Sequence, residues 1–320
     1  MIAVIGAAGF IGSHLSKRLE DLGNTLMLTD NFSRGKKEYL DYLNIKNECF
    51  NLNMKDYESA LIATKHADIV YHCACRIGGM QFLHGSPEKE LKALQDNVLI
   101  DTNIFKACIE NKVKKIIYTS SVSVYNTLRQ YGSNAVFKES DLYKHSFNPE
   151  GGYGLSKWLA EQQLDYMTKM GVKVGIARIF KSYGPCDDYS PESGQVVLSL
   201  MRKLLTEEQL VVWGTGNVSR CLVYIDDLID ALIKLANYNK SLTVNIGGLV
   251  PHRIGNLANA IASISGKKIE VKFDESMPEG PKSRIPDLTK AKKELNWKPT
   301  TSLNNGLKKC WKWMEQEFDD

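Results

Sequence analysis

The chain has 320 residues, of which 43% are hydrophobic and 24% are charged, and its formal net charge is +4. These values are ordinary for a globular protein with one large domain or two coupled ones. Its 41 basic and 37 acidic residues are spread along the chain, which argues against nucleic acid or an anionic membrane as a partner.

The first half of the chain alternates short apolar runs with helical patterns. The strands are continuously apolar rather than alternating, which is typical of a parallel sheet covered on both faces. We therefore predict an α/β fold with a doubly wound parallel sheet of the Rossmann type. The predicted strands are 2–6, 25–30, 67–74, 114–121 and 173–179, and the predicted helices are 11–23, 90–112 and 153–171.

The composition changes beyond about residue 180, where Gly, Pro and Ser are dense. We interpret this part as a smaller C-terminal α/β lobe. Residues 1–180 plus about 214–249 are predicted to form the Rossmann domain, and about 181–213 plus 250–320 the smaller lobe. The helices predicted here end near 205 or span 225–238, 287–296 and 303–317, and the strands are 209–214, 242–248 and 268–273.

The cysteine content indicates the cellular compartment of the protein. Seven cysteines are odd in number and irregular in spacing, which favours reduced thiols in a cytoplasmic protein. No Cys/His set has the spacing of a zinc site, so no metal is expected. The start of the chain lacks the basic region and cleavage site of a signal peptide, and no 18-residue apolar run predicts a membrane span.

The first strand leads into a glycine-rich turn, with Gly6, Gly9 and Gly12 in the segment VIGAAGFIGSHL. Glycines at this spacing permit a tight turn, close approach of a pyrophosphate and close packing of helix on strand. Asp30 ends the next predicted strand, where a carboxylate accepts hydrogen bonds from a ribose and repels a 2′-phosphate. The pattern predicts a dinucleotide site that prefers NAD, although Arg34 offers an alternative in which NADP is bound.

A tyrosine and a lysine, Tyr153 and Lys157, stand one helical turn apart just after the segment PEGG, which we predict to be non-helical. A positive charge near a phenol favours phenolate, so Tyr153 could remove a hydroxyl proton while hydride leaves the same carbon for nicotinamide. Ser121, at the end of a predicted strand, could hydrogen-bond the substrate and tyrosyl oxygens. The alternative is a tyrosine beside a solvated lysine.

Taken together, these segments resemble the extended short-chain dehydrogenase/reductase family, in its nucleotide-sugar epimerase and dehydratase branch. The resemblance implies an NAD-binding Rossmann domain, a lobe that binds an NDP-sugar, and a homodimer formed through the helices near 95–111 and 153–170. It covers nearly the whole chain and includes GxxGxxG at 6–12, Asp30, SSVSVY, YxxxK at 153–157, RIFKSYGP at 178–185 and RIPDLTKAKKELNWKP at 284–299.

The resemblance also implies roles for individual residues. The catalytic positions fall on Ser121, Tyr153 and Lys157. Arg220 and Arg284 match arginines that meet the substrate diphosphate, and Gly78 and Gly79 would let a sugar lie against backbone. The residues expected to bind NAD, besides Tyr153 and Lys157, are Gly6, Gly9, Phe10, Ile11, Gly12, Asp30, Asn31, Asn53 and Ala74.

Departures from the family pattern narrow the expected chemistry. Val122 and Ser123 stand where dehydratases and decarboxylases of the family place carboxylates, which argues against those reactions. RIGGMQF at 76–82 is similar to a segment of the GDP-mannose 3,5-epimerases, but Ser123 replaces their cysteine acid/base. Lys181 replaces an asparagine; it could bind diphosphate, act as an added acid/base or simply be solvated.

The leading hypothesis is an NAD-dependent nucleotide-sugar epimerase that passes through a transient keto-sugar, with C4 the most plausible carbon. Two alternatives share the same residues. One is a dehydrogenase or reductase that produces or consumes a 4-keto sugar nucleotide. The other is a non-catalytic protein that senses NAD or an NDP-sugar. The sequence does not show which nucleotide base or sugar is bound.

Overall fold

The structure is a computed structural model that describes residues 1–132, 135–277 and 279–319, apart from the side chain of Ser283. Its strands are β1 (Ile2–Ile5), β2 (Leu26–Asp30), β3 (Cys49–Asn51), β4 (Ile69–His72), β5 (Lys115–Ser121), β6 (Val136–Phe137), β7 (Lys173–Ile179), β8 (Ser182–Tyr183), β9 (Leu210–Trp213), β10 (Ser219–Cys221), β11 (Val223–Tyr224), β12 (Leu242–Ile246), β13 (Pro251–Arg253), β14 (Val271–Asp274) and β15 (Ser283–Pro286).

Helices connect most of these strands. They are α1 (Phe10–Asp21), α2 (Lys37–Tyr42), α3 (Tyr57–Thr64), α4 (Met80–His84), α5 (Pro87–Glu110), α6 (Thr127–Gln130), α7 (Gly151–Lys169), α8 (Val196–Thr206), α9 (Ile225–Asn237), α10 (Ile254–Ser265), α11 (Thr289–Leu295) and α12 (Leu303–Asp319). Short 3₁₀ helices span Val122–Val124 and Glu139–Tyr143.

Seven strands form one sheet in the order β3-β2-β1-β4-β5-β7-β12, and every neighbouring pair is parallel. The strand order reverses between β1 and β4. The connection after β1 leads to β2 on one side, and the connection after β4 leads to β5 on the other side. A crevice at such a switch point, beyond the carboxyl ends of the strands, is where open α/β sheets bind ligands. The predicted doubly wound Rossmann-type sheet is confirmed.

Both faces of this sheet are buried, as the continuously apolar strands predict. Val4 packs on one face in a cluster with Leu28, whereas its neighbours Ala3 and Ile5 pack on the other face with Val70. Successive side chains of a strand point to opposite faces. An apolar residue at every position therefore requires helices on both sides.

Several boundaries differ from the sequence prediction. Strand β4 ends at His72 rather than residue 74. Helix α7 begins at Gly151, so the expectation that both glycines of PEGG lie outside the helix is wrong. Gly151 has a φ of +56° and tolerates this helix start because it lacks a side chain. Short elements such as α3 and β3 have too few residues to show a period.

The remaining strands form smaller sheets, in the orders β13-β10-β15-β6, β11-β8 and β14-β9. Strand β12 lies in the main sheet, which confirms that the segment around 225–248 returns to it. One apolar cluster runs from Val4 to Met314. Packing is therefore continuous across the predicted domain boundary, and the division into two domains remains a prediction.

Helices α5 and α7, which the family resemblance assigns to a dimer interface, pack against each other within the chain. Both carry exposed apolar side chains, including Leu91 and Leu99 on α5 and Tyr166 on α7. The dimer remains a prediction. In the described part of the chain, every helix is too short or too polar to cross a membrane.

A buried ion pair fastens α7 to the sheet. The Arg178 guanidinium on β7 donates to Glu161 on α7 at 2.6 Å, and both side chains are at most 3% exposed. Ser120 on β5 donates to the same carboxylate at 2.6 Å. Glu161 thus joins two central strands to the helix that carries Tyr153.

Replacement Glu161→Gln should lower the free energy of unfolding by about 3–5 kcal/mol, because it leaves the Arg178 charge buried without a counter-ion. Urea denaturation measures the change. Asp165→Asn on the same helix is the matched control, since it removes the exposed Lys169–Asp165 pair, whose contribution is expected to be under about 1 kcal/mol. Equal effects of the two replacements would contradict this prediction.

Candidate active site

The glycine-rich turn brings β1 and α1 into direct contact. Gly6 has a φ of +83°, and a Cβ there would meet the backbone nitrogen of Ala74 at 2.7 Å. A Cβ on Gly12 would overlap the carbonyl oxygen of Gly6, whereas one on Gly9 would lie 3.4 Å from that oxygen. The turn therefore needs glycine at positions 6 and 12 for its own packing, while Gly9 leaves open the space beyond it.

Asp30 ties the end of β2 to this turn. Its carboxylate accepts from the backbone N–H of Ala8 at 3.0 Å and from that of Phe32 at 2.8 Å. Burial raises the pKa of Asp30, although these N–H groups act against the rise. Asn31 and Asn53 lie nearby, 3.5 Å apart through their side-chain amides. Asn31 and Asn53, two of the residues predicted to bind NAD, are thus close together in space.

Arg34 forms an ion pair with a residue from a distant segment of the chain. Its guanidinium donates to Asp188 at 3.0 Å, so it joins the loop after β2 to the segment after β8. A 2′-phosphate would have to compete with this ion pair. The geometry favours NAD over the NADP alternative that Arg34 left open.

Tyr153 lies at the start of α7 beside the end of β5. Tyr153 is 5% exposed, and its phenol lies close to Ser121. Burial and the neighbouring Cys75 raise the pKa of Tyr153 well above its ordinary value, and the nearby Ser121 only partly offsets them. The sequence predicts that the charge of Lys157 favours the phenolate. In the protein alone the pKa of Tyr153 is raised instead.

Lys157 is almost completely buried, at 1% exposure. Its ammonium donates to the carbonyl oxygen of Thr119 at 2.9 Å and lies 5.9 Å from the centre of the Tyr153 ring. It also lies 4.5 Å from the centre of the Tyr118 ring. The cation is therefore held in place by the sheet strand and not by the tyrosine.

A polar network that the sequence analysis did not identify lies behind Lys157. The His72 ring nitrogen Nε2 is 2.7 Å from a carboxylate oxygen of Asp101, and the Tyr118 hydroxyl donates to the other oxygen at 3.1 Å. Burial lowers the pKa of His72. The network joins β4, α5 and β5 and holds the Tyr118 ring beside the Lys157 ammonium.

Ser123 has an unexpected carboxylate partner. Its hydroxyl donates to Glu150 at 2.7 Å, and the backbone N–H of Glu150 donates to the Ser123 carbonyl oxygen at 2.9 Å. The other carboxylate oxygen of Glu150 accepts from the Arg284 guanidinium. Burial opposes ionisation, but Arg284 and Ser123 bring the pKa of Glu150 below its ordinary value. Arg284 thus reaches the Tyr153 end of the site.

Lys181 lies near both predicted diphosphate arginines. Its ammonium donates to the side-chain oxygen of Gln195. Burial lowers the pKa of Lys181 to about 8, with Asp187 acting against this and the charges of Arg220 and Arg284 adding to it. Burial and Arg284 likewise lower the pKa of Arg220 to about 10. These three cations repel one another, so an anion would stabilise all of them.

Asp187 lies near this cationic group and was not considered in the sequence analysis. It is 4% exposed, and burial raises its pKa to about 7 although the charge of Arg34 opposes the rise. It is therefore only partly ionised at neutral pH and does not fully balance the cations.

Gly78 and Gly79 lie against protein rather than open space. The side chain of Phe82 occupies the position of a Gly78 Cβ, and the N–H of Gly79 donates to the carbonyl oxygen of Ser193 at 2.9 Å. Their predicted contact with a sugar remains a prediction. Phe10 and Ile11 begin α1 directly after the glycine turn, as expected for residues near a pyrophosphate.

Sequence reasoning missed Glu150, Asp187 and the Asp101–His72 pair for different reasons. Glu150 stands three residues before Tyr153, so its position beside the site could have been noticed. Its partners Ser123 and Arg284 come from distant segments. Asp187 and Asp101 lie in segments that have no pattern typical of a binding site.

The model of one protein family, described as the NAD dependent epimerase/dehydratase family, matches residues 2–247. UDP-glucuronic acid decarboxylase 3 of Arabidopsis thaliana is 32% identical over 322 residues, which cover 99% of this chain and 88% of the relative. GDP-mannose 3,5-epimerase 1 of Oryza sativa subsp. indica is 27% identical over 320 residues, covering 99% and 82%.

Among solved structures, UDP-glucose 4-epimerase from Thermotoga maritima, determined with UDP-glucose, superposes with a TM-score of 0.87. It is 26% identical, and the match covers 99% of each chain. These similar proteins catalyse different reactions, so the likeness alone does not identify the reaction of this chain.

The glycine turn, with Asp30 beside it, fits NAD, and two replacements should separate its structural and binding roles. Gly12→Ala should destabilise the fold, because the new methyl group overlaps the Gly6 carbonyl oxygen. Gly9→Ala should leave thermal unfolding nearly unchanged but reduce bound NAD, because its methyl group enters the space in front of the turn. Thermal melting and the NAD content of the purified proteins measure both effects. Wild-type NAD content in Gly9→Ala would count against the site.

Proposed function

The chain belongs to the NAD dependent epimerase/dehydratase family and uses NAD as its cofactor, and we propose that it is a nucleotide-sugar epimerase. It would oxidise a sugar hydroxyl, at C4, to a transient keto group and reduce that group again on the opposite face. Its substrate would be an NDP-sugar, bound by the diphosphate at Arg220, Arg284 and Lys181.

The observation that carries this proposal is that Ser121 lies close to the Tyr153 phenol, with the buried Lys157 ammonium 5.9 Å from the centre of the Tyr153 ring. Without an added charge, burial keeps Tyr153 protonated. NAD, when bound, accepts and returns hydride and brings a positive ring charge. Tyr153 would then take the sugar hydroxyl proton, with Ser121 holding both oxygens during the transfer.

The cationic residues support an anionic substrate. Besides burial, the charges of Arg220 and Arg284 lower the pKa of Lys181, and that of Arg284 lowers the pKa of Arg220; the nearby carboxylates offset these effects only in part. A diphosphate carries two negative charges and suits guanidinium donors. This charge balance supports an NDP-sugar over an uncharged sugar.

The state of Glu150 argues against a dehydration in which this residue donates the proton. Loss of water from a sugar needs a group that donates a proton to the departing hydroxyl. Glu150 is the carboxylate bonded to Ser123, but its pKa lies below the ordinary value, so it is ionised at neutral pH. An epimerase that only exchanges hydride and one hydroxyl proton has no need of such a donor.

The direct test is NMR of purified protein with UDP-glucose or UDP-galactose and no added NAD. We expect each sugar to be converted into the other, because the cofactor is regenerated in every cycle. Steady accumulation of NADH, measured by its absorbance at about 340 nm, together with a keto-sugar product would instead favour a dehydrogenase.

Tyr153→Phe should reduce turnover about 10²- to 10⁴-fold, because it removes the group that transfers the hydroxyl proton. NAD content and thermal stability should stay close to wild type, since the ring is retained. Tyr166→Phe, an exposed tyrosine on the same helix, is the matched control and should be fully active. Unchanged turnover in Tyr153→Phe would support a non-catalytic sensor.

The affinity for UDP-glucose should fall as the pH rises through the range from about 7 to about 8. Asp187 gains negative charge as the pH passes its pKa of about 7, and Lys181 loses positive charge near its pKa of about 8. Both changes weaken attraction to the diphosphate, whose own charge is constant in this range. Calorimetric titration at several pH values measures the effect. In Lys181→Gln the decline should be smaller, and the same decline in this variant would contradict the assignment.

A further inference from the structure

The start of α7, the helix that carries Tyr153, is held by a side chain from another helix. The first backbone N–H groups of a helix have no partner within it, and Glu150, which immediately precedes α7, does not cap them with its side chain. One of these groups, the N–H of Gly152, donates to a carboxylate oxygen of Glu90. The helix dipole also favours a carboxylate at this end. Glu90 on α5 therefore supplies the cap that α7 itself lacks.

Two glycines allow Glu90 to come this close. A Cβ on Gly151 would overlap the Glu90 carboxylate, and a Cβ on Gly152 would overlap the Glu90 carbonyl oxygen. The backbone of α7 thus lies directly against the first turn of α5. Because Gly152 precedes Tyr153 by one residue, this contact helps to set the backbone from which the phenol projects.

The second oxygen of the Glu90 carboxylate connects the same point to α4. It lies 2.6 Å from Nδ1 of His84, the last residue of α4. The residue before it, Leu83, packs in one cluster with Tyr153 and Ala93. One carboxylate therefore joins α4, α5 and α7 at the place where the Tyr153 ring is packed.

We propose that Glu90 is a positioning residue for Tyr153. Through its bonds to Gly152 and His84 it fixes the first turn of α7 and so holds the phenol beside Ser121. It acts through the backbone and through α4, and it takes no proton in the reaction. This inference rests on the proposed function, because a fixed phenol matters for the transfer of the sugar hydroxyl proton.

A displaced phenol should slow turnover more than it weakens substrate binding. Proton transfer needs its two oxygens within hydrogen-bond reach of each other, and a misplacement of about 1 Å can cost roughly a hundredfold in rate. Glu90→Ala should therefore lower kcat about tenfold or more, whereas KM for UDP-glucose should stay within about twofold of wild type. NMR of sugar conversion measures both values, and thermal melting reports any general loss of stability.

Glu90→Gln tests whether hydrogen bonding is what matters. Its amide oxygen can accept from the Gly152 N–H, and its amide nitrogen can donate to His84. Its kcat should therefore return to within about threefold of wild type. Glu88→Ala is the matched control, because Glu88 is an exposed acidic residue in the same first turn of α5. Its kcat should equal that of the wild type.

A spectroscopic signal from Tyr153 makes the test independent of turnover. In protein labelled with fluorotyrosine, the fluorine NMR resonance of Tyr153 is identified by its absence in Tyr153→Phe. Glu90→Ala should shift or broaden this resonance, Glu90→Gln should restore it, and Glu88→Ala should leave it unchanged. If Glu90→Ala does not fold, His84→Ala, which removes only the contact with α4, should shift the same resonance.

The proposal would be overturned by an unmoved Tyr153 resonance or a wild-type kcat in Glu90→Ala. A fall in kcat as large in Glu90→Gln as in Glu90→Ala, or an equal effect of Glu88→Ala, would overturn it as well. If the resonance moves as expected but the wild-type protein does not epimerise UDP-glucose, Glu90 still positions Tyr153 and the proposed function fails.

Discussion

The packing of α7 on the end of β5 is the constraint on which the site depends. Gly154 allows it, because a Cβ there would overlap the carbonyl oxygen of Ser123. The close approach permits the backbone bond from Glu150 to Ser123 at 2.9 Å. It also sets the phenol of Tyr153 beside Ser121. One contact between helix and strand thus positions two hydroxyl groups, a phenol and a carboxylate, so an error in this packing would displace all four together.

Buried charges in this fold fall into two kinds, which differ in how completely they are paired. Arg178 and Glu161 satisfy each other with help from Ser120, and their network holds strands and helix together. Lys181 and Arg220 have only neutral oxygen atoms as direct partners. Keeping unbalanced cations close together costs stability, and an anionic ligand would remove that cost. The incomplete pairing of Lys181 and Arg220 therefore supports the binding of an anion beside them.

Most of the main sheet could be predicted from the sequence, because continuously apolar strands such as β1 and β5 carry a strong local pattern. The glycine turn could be predicted as well, since Gly6 and Gly12 are needed by the turn itself. Short elements such as β3, and the exact start of α7, could not, because they depend on tertiary packing rather than on periodicity. Of the candidate site, the closeness of Ser121 to Tyr153 agrees with the hypothesis drawn from its position at the end of β5. The raised pKa of Tyr153 disagrees with the spacing argument, because burial cannot be read from a helical spacing.

The carboxylate at Ser123 shows how a comparison by position can mislead. Val122 and Ser123 carry no carboxylate, and the sequence therefore suggests that the site lacks one. In space the carboxylate is supplied by Glu150, which follows β5 by almost thirty residues and arrives with α7 (roughly one βα unit later in the chain). Its charge state also differs from that of an acid catalyst, because Arg284 holds it ionised. A carboxylate at the same place can therefore orient a hydroxyl without donating a proton, so the chemistry follows from the partners of Glu150 rather than from its presence.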